Sequence, residues 1–198
     1  RYLSGNPFHL IHVAKSYGGI DMKRIHIFIL FLTKSILLLP LAIIEYVFSG
    51  KKIANTEIKQ SPVFILGHNR SGTTYLHKLL VKDPQFGYCR NTDMLFPYIK
   101  TPFNNILSTG MQRFFSLLDV KSFAYRDTNL ILSDPQEEDM CMTALFMPAS
   151  SYWGFVFPKY ALLNFHRFIY FLSDADRKNW KSQYLYFLKK ITIKNAGK

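Results

Sequence analysis

The sequence predicts an α/β fold preceded by an apolar N-terminal helical segment, and three stretches carry that prediction. Pro62-Val63-Phe64-Ile65-Leu66 is a short apolar run that reads as a buried strand. A turn bounded by Gly67 and Gly72 follows at once. Leu76, Leu79 and Leu80 then fall at helical spacing, and Asp83-Pro84 ends that helix. Upstream, Ile25 to Phe48 is almost uninterrupted hydrocarbon, broken only by His26, Thr33, Lys34, Ser35 and Glu45.

The remaining elements follow in order. Residues 1–24 are mixed, either irregular or helical. The run over residues 25–48 exceeds the ~20 residues a bilayer span needs. Lys34 near its middle costs roughly 2.5–3.5 kcal/mol on insertion scales, and Pro40 predicts a kink. Three readings stay open for it: a transmembrane helix, a helix pair on a membrane surface, or a buried helix of a soluble domain. Lys23 and Arg24 before the run and Lys51 and Lys52 after it suit a membrane surface, without fixing an orientation. No small-residue cleavage site follows, which argues against a signal peptide. Residues 49–61 are polar and read as a linker. A helix is predicted over about 103–118. Another is predicted from Asp134-Pro135, with Pro in its first turn. A last one runs from Ser173 to Lys190, with Trp180, Tyr184, Phe187 and Leu188 on one face. The domain reading is therefore an apolar segment and linker over 1–60 and the main domain over 61–198.

Composition narrows the function classes. The chain has 198 residues, is 48% hydrophobic and 16% aromatic, and carries a net charge of +12. Such a balance suits an anionic partner. The basic residues are scattered, with no stripe interleaved with aromatics, so a nucleic-acid partner is not expected. Cys89 and Cys141 form no CxxC pair and no disulfide framework, which fits a reducing, cytoplasmic compartment. His9 and His12 have no accompanying Cys or carboxylate motif, so no metal is expected. Trp153, Tyr152, Phe155 and Phe157 read as core packing, with an apolar acceptor pocket as the other reading.

The chemistry lies in Gly67-His68-Asn69-Arg70-Ser71-Gly72-Thr73-Thr74. A strand, a Gly-containing loop and a helix start make a phosphate cradle, because backbone N–H groups and the helix dipole both favour an anion there. Gly67 and Gly72 allow close approach or positive φ. Ser71, Thr73 and Thr74 add hydroxyls, and Arg70 offers a planar fork for phosphate or sulfate oxygens. The spacing from Gly67 to Gly72 equals that of the nucleoside-triphosphate loop Gly-x-x-x-x-Gly-Lys-Ser/Thr. Thr73 replaces the lysine that contacts the β- and γ-phosphates, so ATP or GTP hydrolysis is not expected. A second cluster is Pro135-Gln136-Glu137-Glu138-Asp139. Neighbouring acids on a helix point about 100° apart, so they cannot all face one site. Acids at a helix start are also favoured by the dipole alone.

These two motifs resemble the sulfotransferases that use 3′-phosphoadenosine 5′-phosphosulfate (PAPS). A bacterial branch of that family carries Gly-His-x-Arg-Ser-Gly-Thr-Thr-x-Leu-His and then Asp-Pro-Gln-Phe-Gly-Tyr, as residues 67–77 and 83–88 do here. It later carries Pro-Gln-Glu-Asp-Glu, Ser-Tyr and Phe-Pro, similar to residues 135–139, Ser151-Tyr152 and Phe157-Pro158. The chain departs at Asn69, where the branch often has an aromatic residue, and in the order Glu-Glu-Asp. The resemblance implies a P-loop nucleotide-kinase-like parallel sheet flanked by helices. It implies PAPS as sulfate donor, with Gly67, Asn69, Arg70, Ser71, Gly72, Thr73 and Thr74 binding its phosphosulfate. It also implies a hydroxyl or amine acceptor, and the apolar N-terminal run points to a lipid-like or apolar alcohol. Arg70 is the expected charge-neutralising residue. Glu137 is the first candidate base, then Glu138, with His68 as runner-up. The family's 3′-phosphate site, an Arg and a Ser, is expected beyond Lys198, so the sequence reads as cut at both ends. An inactive fragment and a nucleotide kinase-like P-loop protein are the alternatives.

Overall fold

A computed structural model describes residues 5–68, 71–98, 104–120, 129–146, 153–157 and 174–195. Helix α1 spans Pro7–Ser16. Asn6 caps it by accepting from the His9 N–H at 3.1 Å, and Pro7 supplies a first-turn residue that needs no hydrogen bond. Helix α2, Ile25–Ile44, enters through a 3₁₀ turn at Met22–Arg24 and continues past Pro40. It leaves through a π-helical turn at Glu45–Ser49 into α3, Gly50–Asn55. The result is one apolar helix from Met22 to Asn55, long enough to cross a membrane. The polar stretch read as a linker is thus helical up to Asn55. Its polarity belongs to the exposed side, at Lys51 and Lys52, while Gly50 and Ile53 are buried. Then come α4 (Thr73–Leu80), α5 (Asn91–Leu95), α6 (Asn104–Leu117), α7 (Glu138–Ala144), α8 (Trp153–Val156) and α9 (Asp174–Lys194).

The expected parallel sheet is not what this chain forms among its described residues. They contain no strand; isolated bridge positions stand at Arg90 and Pro135, which pair antiparallel, and at Asn129. An apolar run becomes a strand only when a neighbour pairs its N–H and C=O groups. Residues 62–66 have no such neighbour here, and Leu66 is 89% exposed, with Val63 and Phe64 also exposed. Helix α4 likewise buries no residue, and Tyr75, Leu76 and Leu79 face outward. The helix read over 103–118 is present as α6, but Phe114 and Leu117 are exposed on it. The last helix runs to Lys194, beyond the expected end.

Two apolar clusters hold the fold. The first joins Leu10, Val13, Ala14 and Tyr17 to Phe28 of α2 and to Phe146, Trp153, Val156 and Phe157. Trp153 is fully buried and lies 5.8 Å from Phe157 and 6.0 Å from Phe31, ring to ring. The aromatic residues after the acidic motif are therefore core where they are described. Tyr152 and the Phe155 side chain lie outside the described residues. The second cluster gathers Cys89, Met94, Cys141, Met142, Leu145, Phe187 and Ile191, with Trp180 and Tyr184 packed against it. Helix α7 serves both. Its own residues fill the second cluster, and Phe146, turned by a left-handed φ of 57°, delivers its ring to the first.

Polar contacts bind α2 to the rest of the chain. Lys190 of α9 donates to Glu45 Oε1 at 2.6 Å, with both side chains almost wholly buried. Burial pulls the Lys190 ammonium below its ordinary range, while the Glu45 carboxylate works against that. Lys34 lies on the protein side of α2 and donates to the Met94 carbonyl at 3.2 Å. Its burial lowers its pKa to about 8.

Two outcomes test this anchoring. Glu45→Ala leaves a buried ammonium without its carboxylate and is expected to cost about 3–5 kcal/mol in urea unfolding, whereas Glu45→Leu with Lys190→Met restores most of it. Lys34 has a folded pKa below its unfolded one. The folded state therefore binds fewer protons between about pH 8 and the ordinary lysine range, and stability rises with pH there. Between pH 7 and 9 the wild type should gain about 1 kcal/mol relative to Lys34→Met.

Candidate sulfonate-transfer site

The loop after residue 66 is built around its glycines. A Cβ on Gly67 would sit 2.6 Å from Thr73 Cγ2 and 2.7 Å from Ser71 Oγ, so the chain folds back onto a position that only hydrogen leaves open. Gly72 is the N-cap of α4 with φ 89°, a left-handed conformation that disfavours side chains. Ser71 N–H donates to the His68 carbonyl at 3.1 Å, and Leu76 N–H to the Gly72 carbonyl at 3.0 Å. No side chain caps α4. Its first-turn N–H groups and positive dipole end therefore face the space beside Ser71 and Gly72, where both residues are exposed. Thr73 and Thr74 are half-buried, and His68 is exposed. Asn69 and Arg70 lie outside the described residues.

The acidic motif is positioned by a different device from the one its sequence suggests. Pro135 does not open the helix. It forms the bridge to Arg90, and α7 begins at Glu138 with Glu137 as its N-cap. Residues 134–136 are tied onto residues 89–92 instead. Asn91 N–H donates to the Asp134 carbonyl at 3.0 Å, and Gln136 N–H to the Cys89 carbonyl at 2.9 Å. Gln136 Nε2 reaches Asn91 Oδ1 at 2.7 Å. Proline, with no N–H to give, fits a strap of this kind as well as a helix start. Glu137 is exposed, while Glu138 and Asp139 are half-buried.

The structure ties the loop helix to the segment that precedes the acidic helix. Lys78 of α4 pairs with Asp134 at 2.8 Å. His77, four residues after Thr73 and so on its face of α4, has its pKa lowered by burial, with Glu138 and then Glu137 partly restoring it. Neither Lys78 nor His77 stood out in the sequence as a site-building residue. Their i+4 spacing from Thr74 and Thr73 was the available signal, but it does not reveal a partner on a distant segment.

Residues 62–163, more than half of the chain, match the sequence model of the "Sulfotransferase family". The chain belongs to the sulfotransferase family. Two curated members, both named omega-hydroxy-beta-dihydromenaquinone-9 sulfotransferase Stf3, from Mycobacterium bovis and Mycobacterium tuberculosis, are each 31% identical over 132 residues. That alignment takes in 66% of this chain and 33% of each relative, so the chain spans about a third of their length. No solved structure gives a significant match. The family match begins at residue 62, before the glycine-bounded loop, and extends past the acidic motif, enclosing both parts of the candidate site.

The surroundings of His77 have a spectroscopic consequence. The His77 imidazole should titrate below the ordinary histidine range, and Glu138→Gln should push it lower still, because the glutamate is what offsets burial. Proton NMR of the imidazole across the acid range reads both values.

Proposed function

We propose that this chain binds PAPS through residues 67–74 and transfers its sulfuryl group to a hydroxyl, or an amine, on an apolar, lipid-like acceptor. The observation that carries the reading is the uncapped N-terminus of α4, which follows Gly67 and the left-handed Gly72. PAPS, when bound, supplies a sulfuryl group activated by its link to phosphate. An anion of that size fits exposed first-turn N–H groups with no competing side-chain cap.

The protein's part is positioning and charge. Ser71, Gly72, Thr73 and Thr74 hold the 5′-phosphate by backbone N–H and hydroxyl donors, Gly67 keeps the backbone close, and Asn69 adds a polar contact. Arg70 neutralises the charge that grows on the bridging oxygen as its bond to sulfur breaks. The acceptor oxygen forms the new bond to sulfur and gives its proton to Glu137, with Glu138 or His68 as the alternative base. The products are adenosine 3′,5′-bisphosphate and a sulfate ester.

Two lines support an apolar acceptor. The mycobacterial relatives are named for an omega-hydroxy dihydromenaquinone. The helix from Met22 to Asn55 is apolar and largely outside the core, which suits a cytoplasmic protein associated with the membrane through residues 25–48. The absence of the P-loop lysine, with Thr73 in its place, disfavours the nucleotide-kinase reading.

Calorimetry with adenosine 3′,5′-bisphosphate and a transfer assay from radiolabelled PAPS to a small apolar alcohol test this reading. Arg70→Ala is expected to lower transfer at least about a hundredfold, the scale of losing one preorganised charge contact. Unchanged transfer in Arg70→Ala, or tighter binding of ATP than of the bisphosphate, overturns it.

A further inference from the structure

Helix α2 has two faces of opposite character. The inner one holds Phe28, Ser35 and Ala42 buried, Lys34 bonded to Met94, and Glu45 paired with Lys190. The outer one shows Leu30, Ile36, Leu37 and Ile43, continued by Val47 and Phe48 of the π-helical turn, all between 47% and 81% exposed. Leu30 and Leu37, like Ile36 and Ile43, are seven residues apart and Val47 follows Ile43 by four, so they lie along one side of the helix. Between Arg24 and Lys51 no charge interrupts that stripe, since Lys34 and Glu45 are turned inward. Basic side chains stand at both ends, Lys23 and Arg24 at one and Lys51 and Lys52 at the other.

We infer that the outer face of α2 docks in the plane of an anionic lipid bilayer, with the basic ends on the headgroups and the stripe in the acyl boundary. This deepens the membrane association proposed above and does not depend on sulfuryl transfer. Charge complementarity selects the occupant, because an apolar face framed by lysine and arginine matches anionic lipid on both counts. A second copy of the chain fits less well. Two such stripes face to face set basic ends against basic ends in either orientation. A transmembrane span is disfavoured by the inner face, which would carry the Lys190–Glu45 pair and the packed domain into hydrocarbon.

The test is flotation of the 198-residue chain with phosphatidylcholine vesicles, with and without phosphatidylserine. Binding is expected with the anionic vesicles and is lost in high salt. Leu37→Glu with Phe48→Glu should lower it about a hundredfold, and Lys51→Ala with Lys52→Ala about thirtyfold. Both variants change exposed side chains, and their circular dichroism and melting should match the wild type. Equal binding by the Leu37→Glu/Phe48→Glu protein overturns the inference. So does protein that resists extraction by alkaline carbonate, which marks a span, or a dimer in solution that ignores vesicles. Transfer to a water-soluble alcohol should be unchanged in both variants. Absence of transfer by the wild type, with its vesicle binding intact, would instead count against the catalytic reading alone.

Discussion

The ion pair between Glu45 and Lys190 is the contact on which the arrangement of helices depends. It joins the end of the long N-terminal helix to the last described helix, 145 residues away in sequence. Two charges buried at 2.6 Å are tolerated only with each other, so the pair fixes which side of α2 faces the protein. The π-helical turn that begins at Glu45 belongs to the same constraint, since an extra residue in the turn resets the register between α2 and α3. Lys34 adds a second polar anchor two to three turns earlier. With its inner face so occupied, α2 turns a mainly apolar face outward, with His26 and Thr33 its exposed polar residues.

From that anchor the path to the site is short. Lys194, one turn beyond Lys190, bonds to Asp93, which also accepts from the Arg90 N–H at 2.8 Å. Arg90 in turn meets Pro135 in the backbone bridge, and Asp134 beside it holds Lys78 of the loop helix. A chain of polar contacts therefore runs from the apolar helix to the helix that follows the phosphate loop. Helix α7 lies within this frame, with its acids at one end and Phe146 driven into the N-terminal cluster at the other. The described loop residues Gly67, His68, Ser71 and Gly72 stay outside both clusters, and no side chain caps the start of α4.

Much of the site was legible in the sequence. Glycines at 67 and 72, flanking hydroxyls and a following helix are a local pattern, and local patterns fix local geometry: Gly72 does adopt a left-handed φ and α4 does begin at Thr73. The acidic motif was recognisable, but the start of its helix was misplaced, because proline marks a strap or a first turn equally well. The sheet was not obtained. The apolar run at 62–66 states a preference for burial, yet pairing requires a partner strand, and none is found among the described residues. The linker at 49–61 was likewise misread, because polar residues on one side of a helix look like a polar loop when counted together.

The sequence by itself determined the family, the glycine-bounded loop that leads into α4 and the presence of one long apolar helix, since each is written in contiguous residues. Only the tertiary structure decided that Lys34 and Glu45 turn inward, that Lys78 ties the loop helix to Asp134, and that the aromatic residues Trp153 and Phe157 are core. The reason is physical. Hydrogen-bond donors and helix dipoles act within a turn or two of chain. The partner of a buried charge or an aromatic ring is chosen by packing among segments that the sequence keeps far apart.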